Sequence, residues 1–333
     1  MEVGVVGLGS IGRRHVSNLL SLGYVNLALI SEKSKISEYS AQKANIVFHH
    51  SYDEFLATPA ECVVICNPTS MHQEYLERAV LSNKHVLLEK PASMTSAGLR
   101  EIAAQARAQE RTVAMVHQFR FDHGIEVLRD YIESGQIGEV IQVSAVQGEH
   151  IADFHPGEDY KKSYAARREL GGGVLLTQIH QLDLLNWLFG PFSSVSAVGG
   201  NSGRLGVNVE DTVSYLLKND QGLPVYGHVD YLLRPKTMKI FVTGTNGTIE
   251  WSYYDSYLKF ESSEGPGKNH IINWPLDRDE MFRKLLIDFF DAVNGGHAPR
   301  SSLIEGVRSI EIVEAIKLSL VSEQTQRITS CVI

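Results

Sequence analysis

The sequence predicts two folded units in tandem: an α/β domain on a doubly wound parallel sheet, then an α+β domain with an open, mainly antiparallel sheet. Three observations carry that prediction. At 333 residues the chain has room for about two domains of roughly 150 residues each. Up to about residue 120, short apolar runs alternate with amphipathic stretches, the pattern of buried parallel strands joined by crossover helices. Beyond Phe121 a series of strand-like runs follows with turn residues and no helices between them, the pattern of antiparallel pairing. The expected boundaries are 1–120 and 121–333.

Taken in order, the strands expected in the first domain are EVGVVG, VNLALI, CVVICNP, HVLLEKP and TVAMVHQF. The second begins with a helix, GIEVLRDYIES, and a strand, EVIQVSAVQGE, before a longer helix, GVLLTQIHQLDLLNWLFG, which stops at Gly190-Pro191. Six strands are then expected in SVSAVGG, DTVSYLLKN, PVYGHVDYLL, TMKIFVTG, GTIEWSYY and SYLKFES, with turns at Asn219-Asp220-Gln221-Gly222 and Asn246-Gly247. Two helical patterns, over about 279–294 and 303–324, close the chain. Such a sheet leaves one face short of helices, and alternating apolar positions there predict a homodimer or homotetramer packed through it.

Composition narrows the functional classes. Hydrophobic residues at 43% and charged residues at 21% match a globular chain and argue against disorder or a coiled coil. A net charge of −8 argues against nucleic acid or an anionic membrane as the main partner. The start, MEVGVVGLG, lacks the features of a secretory leader, and no apolar run has the roughly 20 residues of a membrane span, so a cytoplasmic protein is expected. Cys62 and Cys66 lie in the apolar run CVVIC and read as buried thiols, while Cys331 is third from the end and forms no prenylation box. No metal site is expected, and His49-His50 are assigned no function.

Gly7-Leu8-Gly9-Ser10-Ile11-Gly12 follows a predicted strand and opens a predicted helix. In that context a G-x-G-x-x-G pattern reads as a dinucleotide turn, with glycines where backbone must approach pyrophosphate. Gly7, Gly9, Ser10, Ile11 and Gly12 are therefore expected to bind cofactor. At the end of the second strand, Glu32 lies near the spacing of a ribose-binding acid, whereas Ser31 with Lys33 suits a 2′-phosphate, so NAD and NADP both stay open.

Ligands of open parallel sheets sit outside the carboxyl ends of the strands. Two such ends carry unusual chemistry here: Asn67-Pro68-Thr69 with His72, and Glu89-Lys90-Pro91. Lys90 either caps the sheet beside Glu89 or serves as an acid or base. Pro91 restricts the backbone before it and so directs the lysine. On the long helix, Thr177, His180 and Asp183 are spaced to share a face, behind the triple glycine Gly171-Gly172-Gly173 that would let backbone approach a ligand.

Together these motifs resemble the Gfo/Idh/MocA family, the glucose-fructose oxidoreductase and inositol dehydrogenase family, over nearly the whole chain in order and spacing. The resemblance implies a Rossmann domain, an α+β domain whose open sheet mediates oligomerisation, and an NAD- or NADP-dependent oxidoreductase interconverting a hydroxyl and a carbonyl on a sugar, polyol or sugar derivative, possibly a sugar nucleotide. It places Asn67, Pro68, Thr69, His72, Glu89 and Lys90 at the cofactor, Lys90 also beside the substrate hydroxyl, and His180 as its partner in proton transfer. Many members carry an aspartate three or four residues before this histidine; here Leu176 and Thr177 occupy those positions, which leaves the acid-base work to Lys90 and His180. Oxidising an alcohol requires a group that accepts the hydroxyl proton, and a lysine serves if its pKa is lowered. Glu89 opposes that lowering when it pairs closely, so its expected role is to fix the strand end.

HQFRF resembles the family segment whose polar residues reach the substrate cleft, which makes Gln118 and Arg120 substrate-side candidates or members of a hydrogen-bond network at the domain junction. In the loop before the long helix, His155, Asp159, Tyr160, Tyr164, Arg167 and Arg168 are further candidates or a solvated surface. Gln118, Arg120, Tyr160, Arg167 and Thr177 are expected to bind substrate alongside Lys90 and His180. Their density of polar and aromatic groups suits a polyhydroxylated or anionic small molecule. Alternatives to a sugar dehydrogenase are a nucleotide- or sugar-sensing regulator without catalysis, and a reductase of a non-sugar carbonyl, imine or conjugated double bond.

Overall fold

A computed structural model describes residues 1–30 and 45–328; Ser31, Glu32, Lys33 and Cys331 lie outside the described residues. Contacts divide the chain into two units, one of Met1–Gln118 with Arg278–Val307, the other of Phe119–Asp277 with the residues from Arg308.

The first unit is built on six parallel strands: β1 (Val3–Val6), β2 (Asn26–Ile30), β3 (Asn45–His49), β4 (Cys62–Ile65), β5 (His85–Leu88) and β6 (Val113–Met115), in the order 3-2-1-4-5-6. That order reverses direction between β1 and β4, where doubly wound sheets bind ligands. Every residue of β1, β4 and β5 is buried, as expected of strands covered on both faces. Each large aliphatic side chain among them contributes about 1.5–3 kcal/mol through burial. The crossovers are α1 (Ser10–Ser21), α2 (Tyr52–Leu56), α3 (Thr69–Leu81) and α4 (Leu99–Ala108).

Strand β3 is absent from the five expected. It is an edge strand with no buried residue, so NIVFHH carries too weak an apolar signature to declare itself. Cys62 and Cys66 are buried thiols as expected, with burial pushing Cys62 up to about 12.

The first unit is completed from the far end of the chain. Along α8 (Arg278–Val293), Asp279 accepts from Asn18 at 3.3 Å and pairs with Arg14 at 3.1 Å, Phe282 meets the His15 ring edge-on at 5.3 Å, and Phe290 stacks on Tyr24.

The second unit opens with α5 (His123–Glu133), capped by Asp122, which also accepts the Trp251 indole N–H at 2.9 Å. After β7 (Val140–Gly148) come α6 (Val174–Thr177) and α7 (His180–Phe189), then β8 (Phe192–Gly200), β9 (Thr212–Asn219), β10 (Pro224–Asp230), β11 (Thr237–Gly244), β12 (Gly247–Ser252), β13 (Tyr257–Ser262) and β14 (His270–Asn273). Helix α9 (Leu303–Ser322) and β15 (Gln326–Arg327) close the described chain. The nine strands are ordered 14-13-12-11-7-10-9-8-15, all neighbours antiparallel except the pair β7 and β10.

Strict alternation along β9 and β11 buries Val213, Tyr215 and Leu217, and Met238, Ile240 and Val242. The opposite face was expected to be largely apolar and is instead mixed. One row across it reads Leu216, Tyr226, Ser144, Phe241 and Glu250, the next Ser214, His228, Val146 and Lys239. Its exposed apolar members include Leu216, Tyr226 and Val146 and, where the rows run on to β8 and β14, Val198 and Ile271.

The long helix expected over GVLLTQIHQLDLLNWLFG is two helices. The break falls at Gln178-Ile179, where the Gln178 amide donates to the Asp230 carbonyl at 2.9 Å. The run is apolar enough to be buried on all sides, so periodicity alone did not reveal the break.

Candidate functional site

In the first unit, the turn from β1 into α1 is made by three glycines with three different reasons. Gly7 has φ +85° and packs against the backbone of Cys66 and Asn67, so a side chain there meets both strain and a clash. At Gly12 a Cβ would stand 1.9 Å from the Gly7 carbonyl oxygen, so the glycine lets helix and strand close together. Gly9 faces open space, with nothing within 4 Å of a Cβ placed there. Gly9 also offers no side-chain cap to α1, and no acidic residue sits in the first turn with Ser10 and Ile11, so the uncapped helix start suits an anion.

Asn67, Pro68 and Thr69 follow β4, with Pro68 at the cap position of α3. Both side-chain amide atoms of Asn67 are buried without a hydrogen-bond partner. A buried amide left in this state at the sheet's switch point is a donor and acceptor awaiting a ligand. The turn, the open space at Gly9 and the Asn67 amide all fit a dinucleotide pyrophosphate and its neighbouring groups.

His72 does not point its polarity outward as a cofactor ligand would. Its Nδ1 lies 2.7 Å from the Pro91 carbonyl and its Nε2 2.8 Å from the Asn67 carbonyl, and burial lowers its pKa. The ring ties the turn after β4 to the turn after β5, which makes it a brace.

Parallel pairing of β1, β4 and β5 sets Gly7, Asn67 and Glu89-Lys90 along one carboxyl edge. Glu89 is buried; Oε1 accepts from His15 Nε2 at 2.9 Å and Oε2 from the Lys90 backbone N–H at 3.2 Å. Burial works against ionisation of Glu89, but His15 and Lys90 outweigh it and hold the carboxyl below its usual range. Lys90 keeps some surface at the strand end, yet its ammonium is poorly solvated. Desolvation lowers its pKa to about 8, Glu89 works against that lowering, and Arg278 adds to it. Gln118 closes this unit, buried in a one-turn helix after β6.

In the second unit, His180 starts α7, buried, with its ring edge-on to Phe119 at 4.9 Å. The glycines before it answer to the chain itself. A Cβ on Gly172 would meet the backbone of Tyr164 to Arg167, and one on Gly173 would meet the Glu210 carboxylate, so tight internal packing replaces the expected approach to a ligand.

Four expected substrate contacts have partners within the chain. Arg120 is fully buried, its Nε 3.0 Å and Nη2 2.6 Å from the two Asp183 oxygens, so its charge serves an internal pair and Asp183 serves Arg120. Thr177 Oγ1 accepts the Tyr231 hydroxyl at 2.6 Å. Tyr160 donates its hydroxyl to the Leu205 carbonyl at 3.0 Å. Arg167 is exposed and paired with Glu169 at 2.7 Å. Sequence reading missed His15 and Arg278. His15 had a signal, three residues after Gly12 on the sheet-facing side of α1; Arg278, far along the chain, had none.

Residues 1–117 match the NAD-binding Rossmann fold of the Gfo/Idh/MocA oxidoreductases, and residues 129–328 match their C-terminal α/β domain. The chain belongs to this family. Among relatives of the Gfo/Idh/MocA chain, inositol 2-dehydrogenase of Pseudomonas syringae pv. syringae is 29% identical over 200 residues, 56% of this chain and 54% of that protein. The chain thus spans about half the length of that relative. Inositol 2-dehydrogenase of Salmonella paratyphi B is 22% identical over 309 residues, 90% of this chain and 88% of that one. Levoglucosan dehydrogenase in complex with NADH superposes with a TM-score of 0.88 at 18% identity, covering 99% of each chain. The WlbA dehydrogenase of Bordetella pertussis, in complex with NADH and UDP-GlcNAcA, superposes with a TM-score of 0.85 at 20% identity, covering 99% of this chain and 98% of that one. At these identities the two structures speak for the fold. No helix among the described residues is long and apolar enough to cross a membrane.

Proposed function

We propose that this member of the family is an NAD(P)-dependent dehydrogenase or reductase that interconverts a hydroxyl and a carbonyl on a sugar, polyol or sugar derivative. The observation that carries the reading is Lys90: a lysine with its pKa drawn down to about 8, on the same sheet edge as the glycine turn. The name of the sequence relative, inositol 2-dehydrogenase, supports a polyol or sugar as the substrate class.

The nicotinamide, when bound, supplies the hydride acceptor or donor. The residues of the chain do the rest. Amides at Gly9 to Gly12 hold the pyrophosphate, the Asn67 amide contacts the cofactor, and Lys90 takes the hydroxyl proton in oxidation and returns it in reduction. His180 is proposed as the second group serving that proton, and Gln118 as a substrate contact. Ser31, Glu32 and Lys33 are proposed to choose between NAD and NADP through the ribose. The mixed outer face of the nine-stranded sheet is proposed to pack against a second copy.

A panel of sugars, polyols and uronic acids assayed with NAD and with NADP at the nicotinamide absorbance tests the reading. Turnover is expected with at least one polyhydroxylated substrate. Cofactor binding without turnover on the whole panel would leave the sensing alternative in its place.

A further inference from the structure

His15 is wholly buried on the helix that follows the glycine turn, and its Nε2 lies 2.9 Å from Glu89 Oε1. Glu89 is the neighbour of Lys90 and is bonded through its other oxygen to the Lys90 backbone N–H. We propose that His15 is a positioning residue for Lys90: its Nε2–H pins the Glu89 carboxylate beside the lysine, so that α1 sets the charge environment of the proton-handling group.

The physical argument begins with the carboxylate. Glu89 is 6% exposed, and a buried carboxylate keeps its charge only when donors replace the lost water. Two donors reach it, one from His15 and one from the backbone. Without His15, Glu89 is left with a single neutral donor and either takes up a proton or turns away, and in both cases Lys90 loses the negative charge beside it. Groups facing this pair include Cys66 from the end of β4, His72 from α3, His15 from α1 and Arg278 from the start of α8. Of these, Glu89 raises the pKa of Lys90 and Arg278 lowers it. Loss of the Glu89 charge therefore moves the lysine downward.

A merely structural role for His15, packing α1 against β5 and Phe282, makes a different prediction: stability falls and Lys90 does not change. The experiment is a pH titration of the uncomplexed protein labelled with 13Cε-lysine, the Lys90 resonance identified by its loss in K90R. In His15→Leu the midpoint of Lys90 is expected to fall by about one unit, the lower end of the effect of one nearby opposite charge. Glu89→Gln is expected to lower it at least as far, and His15→Leu in the Glu89→Gln background to add nothing. His15→Gln, whose amide stands where Nε2 stood, should restore most of the native midpoint. Should His15→Leu not fold, His15→Asn carries the same test, because its amide stands in place of Nδ1 and faces away from Glu89. An unmoved Lys90 in His15→Leu or His15→Asn, beside a displaced one in Glu89→Gln, would overturn the proposal, as would shifts that add in the double variant.

The inference rests on the proposed function only for its kinetic counterpart, a matching shift in the pH limb of kcat. A displaced resonance without any turnover would count against the proposed activity and still uphold the positioning role.

Discussion

A lysine whose pKa burial draws down to about 8 suits proton exchange in either direction close to neutrality. In the proposed reaction the neutral amine is the base for oxidation and the ammonium the acid for reduction. Oxidation is accordingly expected to rise as pH passes upward through about 8 and reduction to fall over the same interval, read from initial rates across pH. Lys90→Met should cost roughly 10²–10⁴ in turnover, the usual range for removing a positioned acid or base. Its cofactor dissociation constant, measured by fluorescence titration, should stay within a few-fold, because the proposed pyrophosphate site is made of backbone amides. His180→Ala should lower turnover comparably, and an unchanged rate would remove His180 from the proton path. Arg120 belongs to the other kind of residue. Its pair with Asp183 has almost no contact with water, so Arg120→Ala breaks a buried ion pair and should cost about 3–5 kcal/mol in denaturant unfolding.

At the scale of elements, the glycine turn is expected to separate binding from folding within six residues. Gly12→Ala drives a Cβ into the Gly7 carbonyl, a backbone atom that cannot step aside. Overpacking of this kind costs about 1–3 kcal/mol, so a lowered urea midpoint is expected. Gly9→Ala meets nothing, and its backbone, at φ −70°, is one alanine adopts. The urea midpoint should be unchanged while nucleotide affinity drops at least about tenfold, because the methyl group occupies the space a pyrophosphate needs. Equal destabilisation by both substitutions, or unchanged affinity for Gly9→Ala, would contradict this division of labour.

At the scale of the whole molecule, the open face of the nine-stranded sheet bears on assembly. Leu216, Tyr226 and Val146 stand exposed among serine, lysine and glutamate. Light scattering is expected to give at least twice the 37.0 kDa of one chain, and Leu216→Asp with Tyr226→Asp to return it to one chain. A single-chain mass for the unsubstituted protein at micromolar concentration would refute assembly through this face.

The sequence by itself determined the parts whose signal is local. The strand, glycine turn and helix at Gly7 to Gly12, the apolar runs that became β1, β2, β4, β5 and β6, the antiparallel series from β8 to β13 and Glu89-Lys90-Pro91 at a strand end were all legible from spacing and composition. Period and turn chemistry act over a few residues, so a linear reading recovers them. Only the tertiary structure decided who meets whom. His15 and Glu89 are separated by 74 positions, and Arg120 and Asp183 by 63; the return of Arg278–Val307 to the first unit spans still more of the chain. Whether a polar side chain faces a ligand, a neighbouring carbonyl or a buried countercharge depends on what packing brings to within about 3 Å of it. That is why His72, Thr177 and Arg120, expected from the sequence as ligand contacts, have hydrogen-bond partners inside the fold, and why the Arg278 charge that acts on Lys90 had no signal in the sequence.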